Sequence, residues 1–251
     1  DEVYKNIHPT TRKILNKGNQ YNLNLYKGTI KDIPKFYETM KDTALREHLY
    51  LTPMSYYENF YKIFNEHGMS DLYVCEVNIN ELIKTYENNL KCLELELKNM
   101  DDPKYKNKEK QANLKKDLET KIEKMNKEID LIHSIDKEEV ILSSIITVKY
   151  GDKVWTIHGG NSNILRELNS NYLVYYEIIK DANKEGYKIV DFFGTSGIAN
   201  PDKSNPIFGI HSFKKRFGGE YTEFIGEFDL VINKLLYLGY KKLLPVYRKI
   251  K

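Results

Sequence analysis

The chain has 251 residues, of which 41% are hydrophobic and 30% charged, with a formal net charge of +3. That is enough for one large domain or two small ones with a real core, and so small a surplus does not announce a nucleic-acid binder. Two cysteines, Cys75 and Cys92, exclude a disulfide framework and fit a reducing compartment, and no apolar run approaches the roughly 20 residues of a membrane-spanning helix.

In chain order, TTRKILNK (10–17) predicts a short basic helix that stops at Gly18. NLNLYKG (22–28) alternates and predicts a strand. Thr29 can cap a helix from Ile30 towards Glu47, with Ile33, Phe36, Tyr37, Met40 and Ala44 on one side. Pro34 falls in its first turn, where proline is tolerated. Pro53 opens a further helix, rich in tyrosine and phenylalanine, that runs to Gly68. LYVCEV (72–77) predicts a strand.

The clearest periodicity follows. Ile79, Ile83, Tyr86, Leu90, Leu93, Leu97 and Met100 alternate spacings of four and three, a heptad seam. Asp101-Asp102-Pro103 predicts a break, and Leu114, Leu118, Ile122, Met125, Ile129 and Ile132 resume helical spacing. The expected element is an antiparallel coiled-coil hairpin over 79–137, its first arm about 33 Å long at 1.5 Å per residue. A narrow apolar stripe cannot pack on two sides, so the hairpin should protrude. It holds thirteen basic and thirteen acidic residues, a balance that favours a structural or partner-docking arm over one that grips phosphates.

Past the hairpin, 139–152 and 154–160 predict two apolar strands around a Tyr150-Gly151-Asp152 turn. Residues 171–186 predict a helix, 187–194 a buried strand and 195–206 a polar loop. A short helix over 208–219, a strand over 221–232 and a terminal helix over 233–250 complete the order. The sum is an α/β fold: a mixed sheet flanked by helices, interrupted between Val77 and Glu138. Residues 201–251 carry ten basic and five acidic side chains, so the whole positive surplus is C-terminal.

The chemistry-bearing motifs are few. There is no GxGxxG, P-loop, HExxH or GxSxG, and no pair of the six histidines has metal-ligand spacing. His158, at a strand end before Gly159-Gly160, reads as either a structural histidine or a general base. Asp191, before the Gly194–Gly197 loop, reads as either a site carboxylate or a hydrogen-bonded structural one.

The order GGNSN (159–163), DFFGTSG (191–197) and GIHSFKKRFGGEYTEFIGEFDLVI (209–232) resembles the C-terminal half of the Fem family. These are non-ribosomal aminoacyltransferases that build peptidoglycan interpeptide bridges from aminoacyl-tRNA. The 10–17 helix, the segment 26–64 and the hairpin fall in family order, so the resemblance covers nearly the whole chain; its strongest motif is FKKRFGGE (213–220). The resemblance implies a GNAT-like acyltransferase domain made of 1–78 and 138–251, with the hairpin inserted at 79–137. A first GNAT-like domain would lie upstream of Asp1. The family's Phe-Lys pair at the active site matches Phe213 and Lys214, and a family tyrosine of the precursor groove matches Tyr56. Arg166 and Lys215 are the further substrate-binding candidates.

Thr52 stands where the family often has an arginine, and Leu165 where it often has a tyrosine. The implied partners are aminoacyl-tRNA and a lipid-linked or nucleotide-linked precursor. A cytoplasmic location with peripheral contact at the inner membrane face, and oligomers with related transferases, are further implications. No cofactor is implied. The alternative expectation is a catalytically idle module that docks partners in a bridge-building complex.

Overall fold

The computed structural model describes residues 2–100, 108–195, 197–226 and 228–250, with residues 248–250 described by backbone alone. The expected break at Asp101-Asp102-Pro103 lies outside the described residues. Two helices not separated by the sequence pattern open the chain, α1 (Glu2–Asn6) and α2 (Pro9–Gly18). Strand β1 (Asn24–Gly28) leads through a capped 3-10 turn into α3 (Ile33–Glu47). There the Asp32 carboxylate accepts from the Thr29 N–H at 2.8 Å, a reciprocal cap. Helix α4 (Met54–Glu66) and β2 (Leu72–Asn78) follow.

Next come α5 (Ile79–Asn99) and α6 (Lys108–His133), then β3 (Glu139–Tyr150), β4 (Lys153–Asn161) and α7 (Ser170–Lys184). The order ends with β5 (Ile189–Asp191), α8 (Phe208–Lys215) and α9 (Lys234–Ile250).

The five strands lie in the order β1-β2-β3-β4-β5. The first three pairings are antiparallel; β4 and β5 are parallel, the arrangement that the crossover through α7 permits. Both faces of the sheet are covered, which is why β2 is buried along nearly its whole length. On one face Leu72, Val74 and Ile146 pack with Ile33, Phe36, Tyr57 and Tyr61 of α3 and α4. On the other, Tyr73, Cys75, Val140, Leu142 and Ile145 pack with Val174, Ile178 and Ala182 of α7. A third cluster, Ile7, Leu15, Tyr172 and Phe217, seats α1, α2 and α8 against α7.

Helices α5 and α6 run antiparallel: the Ile79 N–H donates to Glu138 at one end, and the Gln111 side chain donates to the Met100 carbonyl at the other. The base of the pair belongs to the main core, because Ile79, Leu82, Tyr86, Ile129 and Ile132 join the α7-side cluster. The expected seam holds at Ile83, which is partly buried against the same core, and differs in two places. Leu82 beside it is also buried, at 0% exposed, because the base meets the sheet as well as its partner helix; Leu114 remains 38% exposed.

Two expectations in the C-terminal third are corrected. The buried strand over 187–194 is only Ile189–Asp191, and its residues are partly or well exposed. It is an edge strand held at three positions, after which the chain turns away at Phe193. The strand over 221–232 is absent among its described residues, and Phe224, Ile225, Phe228, Leu230 and Ile232 are exposed. Aromatic and β-branched residues suit a strand, but a strand also needs a ladder partner, and among the described residues neither sheet edge supplies one to this segment. Among the described residues, no helix is long and apolar enough to cross a membrane.

Candidate functional site

β4 is paired to β5 only through Lys153, Val154 and Trp155, and then runs on to Asn161. From Thr156 onward, no strand among the described residues lies beside the edge of β4 that faced β5, because the chain after Asp191 peels off. The sheet therefore opens at the carboxyl ends of two parallel strands, the place where open α/β sheets bind ligands.

The residues after β5 form one wall. Phe193 takes a left-handed conformation with φ 62, and its N–H donates to Asp191 Oδ1 at 2.8 Å. Lys214 of α8 reaches into this turn. Its Nζ donates to the Phe193 carbonyl at 3.2 Å and also to the Gly194 carbonyl. Burial lowers the Lys214 pKa, and the nearby Asp191 carboxylate partly offsets that. An ammonium has three donors; two are engaged here, which leaves one for a bound oxyanion.

Helix α8 is held in place by aromatic packing. The Phe213 ring sits 4.7 Å from Tyr172 and 5.0 Å from Tyr175 of α7, both edge to face, and 5.4 Å from Phe217. Phe213 thus anchors the helix that carries Lys214. Lys215 points away to donate to Asn200 Oδ1 at 3.1 Å. At the far side of the loop, Thr195 Oγ1 lies 3.4 Å from His211 Nδ1.

A second group lies on the α4 side of the sheet. His158 is opposite Ile146 in the ladder, on the face covered by α3 and α4. Its ring meets Tyr56, Tyr57 and Phe60 at 5.8, 5.2 and 5.1 Å, all near perpendicular. Its Nε2 is buried with no hydrogen-bond partner among the described residues, and burial lowers its pKa. His158 lies three residues beyond Trp155, about 10 Å along β4 at ~3.3 Å per residue. Tyr56 is 45% exposed and stacks on Phe60 at 6.0 Å.

The predicted site residues thus divide. Phe213, Lys214 and Lys215 share α8, with Lys214 alone turned into the Asp191–Gly194 turn. Tyr56 belongs to the aromatic group around His158. Arg166 is exposed on a 3-10 turn, Arg166–Leu168, set between left-handed Leu165 and Asn169. Leu165 is 5% exposed and packs in the main core, so its side chain offers nothing to a groove. Sequence reasoning missed the two carbonyls that hold Lys214. Main-chain acceptors leave no mark in residue identity, and the only signal was a glycine-bearing loop after a strand.

A mixed five-stranded sheet that is flanked by helices and opens at its strand ends is an α/β fold of the GNAT-like kind. Residues 1–244 match the FemAB family, and the chain belongs to it. It is 28% identical over 256 aligned residues to the lipid II:glycine glycyltransferase of Staphylococcus haemolyticus (strain JCSC1435), covering 100% of this chain and 60% of that protein. To the lipid II:glycine glycyltransferase of Staphylococcus aureus (strain USA300) it is 31% identical over 223 residues, covering 86% of this chain and 52% of the relative. The crystal structure of FemX aligns with a TM-score of 0.68 at 26% identity, over 95% of this chain and 60% of that one. The chain therefore spans between 52% and 60% of the length of these two curated relatives.

Proposed function

We propose that this chain carries the acyl-transfer site of an aminoacyl-tRNA-dependent enzyme that adds an amino acid to a peptidoglycan precursor. The observation that carries the reading is Lys214, an ammonium held by the Phe193 and Gly194 carbonyls where the sheet opens, in a member of the FemAB family. Glycine is the favoured donor residue and lipid II the favoured acceptor, because two relatives are named lipid II:glycine glycyltransferases. A lipid-linked acceptor places the reaction at a membrane surface.

The chemistry is ester aminolysis. A neutral primary amine on the precursor attacks the ester carbonyl of aminoacyl-tRNA, forming a C–N bond and a tetrahedral oxyanion. Lys214 donates a hydrogen bond to that oxyanion. Collapse breaks the C–O bond to the tRNA ribose, the ribose oxygen leaves as a hydroxyl, and the ammonium proton of the attacking nitrogen is lost. Ester aminolysis is downhill, so the protein mainly aligns two reactants and stabilises charge. Tyr56 and Arg166 are the proposed precursor contacts, and Lys215 a contact for phosphate. His158, whose buried Nε2 has no partner among the described residues, is the proposed acceptor of the proton.

The second reading, an idle docking module, draws on one observation: the Leu165 side chain is consumed by the core. The two readings separate in a transfer assay. Full-length enzyme is incubated with labelled glycyl-, alanyl- or seryl-tRNA and lipid II, for the wild type and Lys214→Ala. The expected result is label in the lipid fraction with wild type, reduced ~100-fold or more in the variant, as when an oxyanion donor is removed. No transfer from any of the three tRNAs by a protein that still binds lipid II would establish the docking module instead.

A further inference from the structure

The tether on Lys214 depends on a backbone conformation that disfavours phenylalanine. Phe193 sits at φ 62, where a β-carbon crowds the following carbonyl and glycine is the usual occupant. Packing does not impose this state, because the residue is 58% exposed. Such a residue persists only where its surroundings over-determine it. Two contacts hold it among the described residues: Lys214 Nζ donates to its carbonyl at 3.2 Å, and on its amide side Asp191 Oδ1 accepts the Phe193 N–H at 2.8 Å. Asp191 is itself fixed by the ladder to Trp155 at the last paired position of β5. The turn that results points two successive carbonyls, of Phe193 and Gly194, at the Lys214 ammonium.

We infer that Asp191 is a positioning residue for the transfer reaction: its carboxylate pins Phe193 in the left-handed conformation, and that turn aims Lys214. The inference rests on the reading of Lys214 as the oxyanion donor. The role is distinct from general-base catalysis, because the oxygen concerned is already occupied by a main-chain N–H. It also gives the exposed Phe193 a reason to tolerate its strain, which is to place a carbonyl rather than its ring.

Glycine reaches the same φ without help, so a rescue experiment isolates the mechanism. Four variants of the full-length enzyme are compared: Asp191→Ala, Asp191→Asn, Phe193→Gly, and Asp191→Ala combined with Phe193→Gly. Asp191→Ala should lower kcat ~10- to 100-fold with little change in KM for the tRNA, the scale of a small misplacement of a reacting group. Asp191→Asn keeps the acceptor oxygen and should stay within ~3-fold of wild type, as should Phe193→Gly. The double variant should recover most of the kcat lost in Asp191→Ala.

A second readout needs no turnover: the rate at which trinitrobenzenesulfonate labels Lys214, followed by peptide mass spectrometry. Labelling should quicken in Asp191→Ala and return towards the wild-type rate in the double variant. Wild-type kcat and labelling in Asp191→Ala would overturn the inference, as would a double variant no better than Asp191→Ala. A wild type without transfer activity would sink the proposed function, and the labelling series would then decide the Asp191 inference by itself.

Discussion

Gly160 of β4 and Thr39 of α3 approach so closely that a β-carbon on Gly160 would lie 2.5 Å from the Thr39 carbonyl carbon. The helix rests on the strand at this point. Thr39 Oγ1 is 2.6 Å from Ser144 Oγ on β3, and the Asn161 N–H donates to Thr43 Oγ1 at 2.8 Å. The second glycine of the Gly159-Gly160 pair is therefore a packing requirement, and it sets the height of α3 over the end of β4.

Replacing Gly160 with alanine must push main chain against main chain, since the atoms met are the Thr39 carbonyl carbon, the Thr39 hydroxyl and the Met40 nitrogen. Gly160→Ala should cost about 1–3 kcal/mol or more, the range for overpacked interiors. Chemical denaturation measures it. At Gly159 a β-carbon meets the Ile145 side chain at 3.4 Å and the Ser144 carbonyl oxygen at 3.9 Å, so Gly159→Ala should be markedly milder. Equal losses at the two positions would contradict the close approach.

The base of the α5–α6 pair should matter to the whole fold. Leu82 is fully buried in the core that also contains β2, β3 and α7. Leu82→Ala should destabilise the protein by about 2–5 kcal/mol. Leu95 lies further out on the same helix and is 60% exposed, so Leu95→Ala should change stability by about 0.5 kcal/mol or less. Thermal melts of the two variants make the comparison.

Lys214 should titrate below the ordinary lysine value of 10.5, because burial penalises its charge more than Asp191 favours it. The ammonium is the form that donates to an oxyanion, so transfer should be full at pH below the Lys214 pKa and fall as pH rises through it. Asp191→Asn removes the favourable charge and should move that alkaline loss to lower pH. The 13Cε resonance of Lys214 gives the titration directly; a midpoint at or above 10.5 would contradict the burial argument.

His158 predicts an acid-side loss of stability. Its pKa is lowered by burial among Tyr56, Tyr57 and Phe60, so below the unfolded value of about 6.5 the unfolded chain binds more protons than the folded one. The stabilisation is complete above that pH and declines as pH falls towards the folded pKa. His158→Leu removes the titrating group, so the wild-type minus variant difference in unfolding free energy should drop between pH 6.5 and the folded midpoint. A flat difference over that window would mean that His158 titrates alike in both states.

Much of the architecture was legible as periodicity. The turn capped by Thr29 and helix α3 that continues from it, β2, the α5–α6 pair and α7 appear close to where spacing and capping residues put them. Each is determined by local forces: a cap completes orphan N–H groups, and an apolar stripe chooses the helical or strand repeat. The match of GGNSN and FKKRFGGE to a family order also needed no coordinates, and it directed attention to Lys214 among the chain's many lysines.

What tertiary structure decided were the relations between distant segments. The aromatic and β-branched residues of 221–232 suit a strand, yet among the described residues no sheet edge meets them, and pairing is a property of two segments. Leu82 is buried alongside Ile83 because the base of α5 faces the sheet as well as α6. The hold on Lys214 joins a side chain of α8 to carbonyls some twenty residues earlier in the chain. Carbonyls belong to every residue, so identity alone could not point to them; the left-handed turn pinned by Asp191 had to be folded before its two oxygens faced one ammonium.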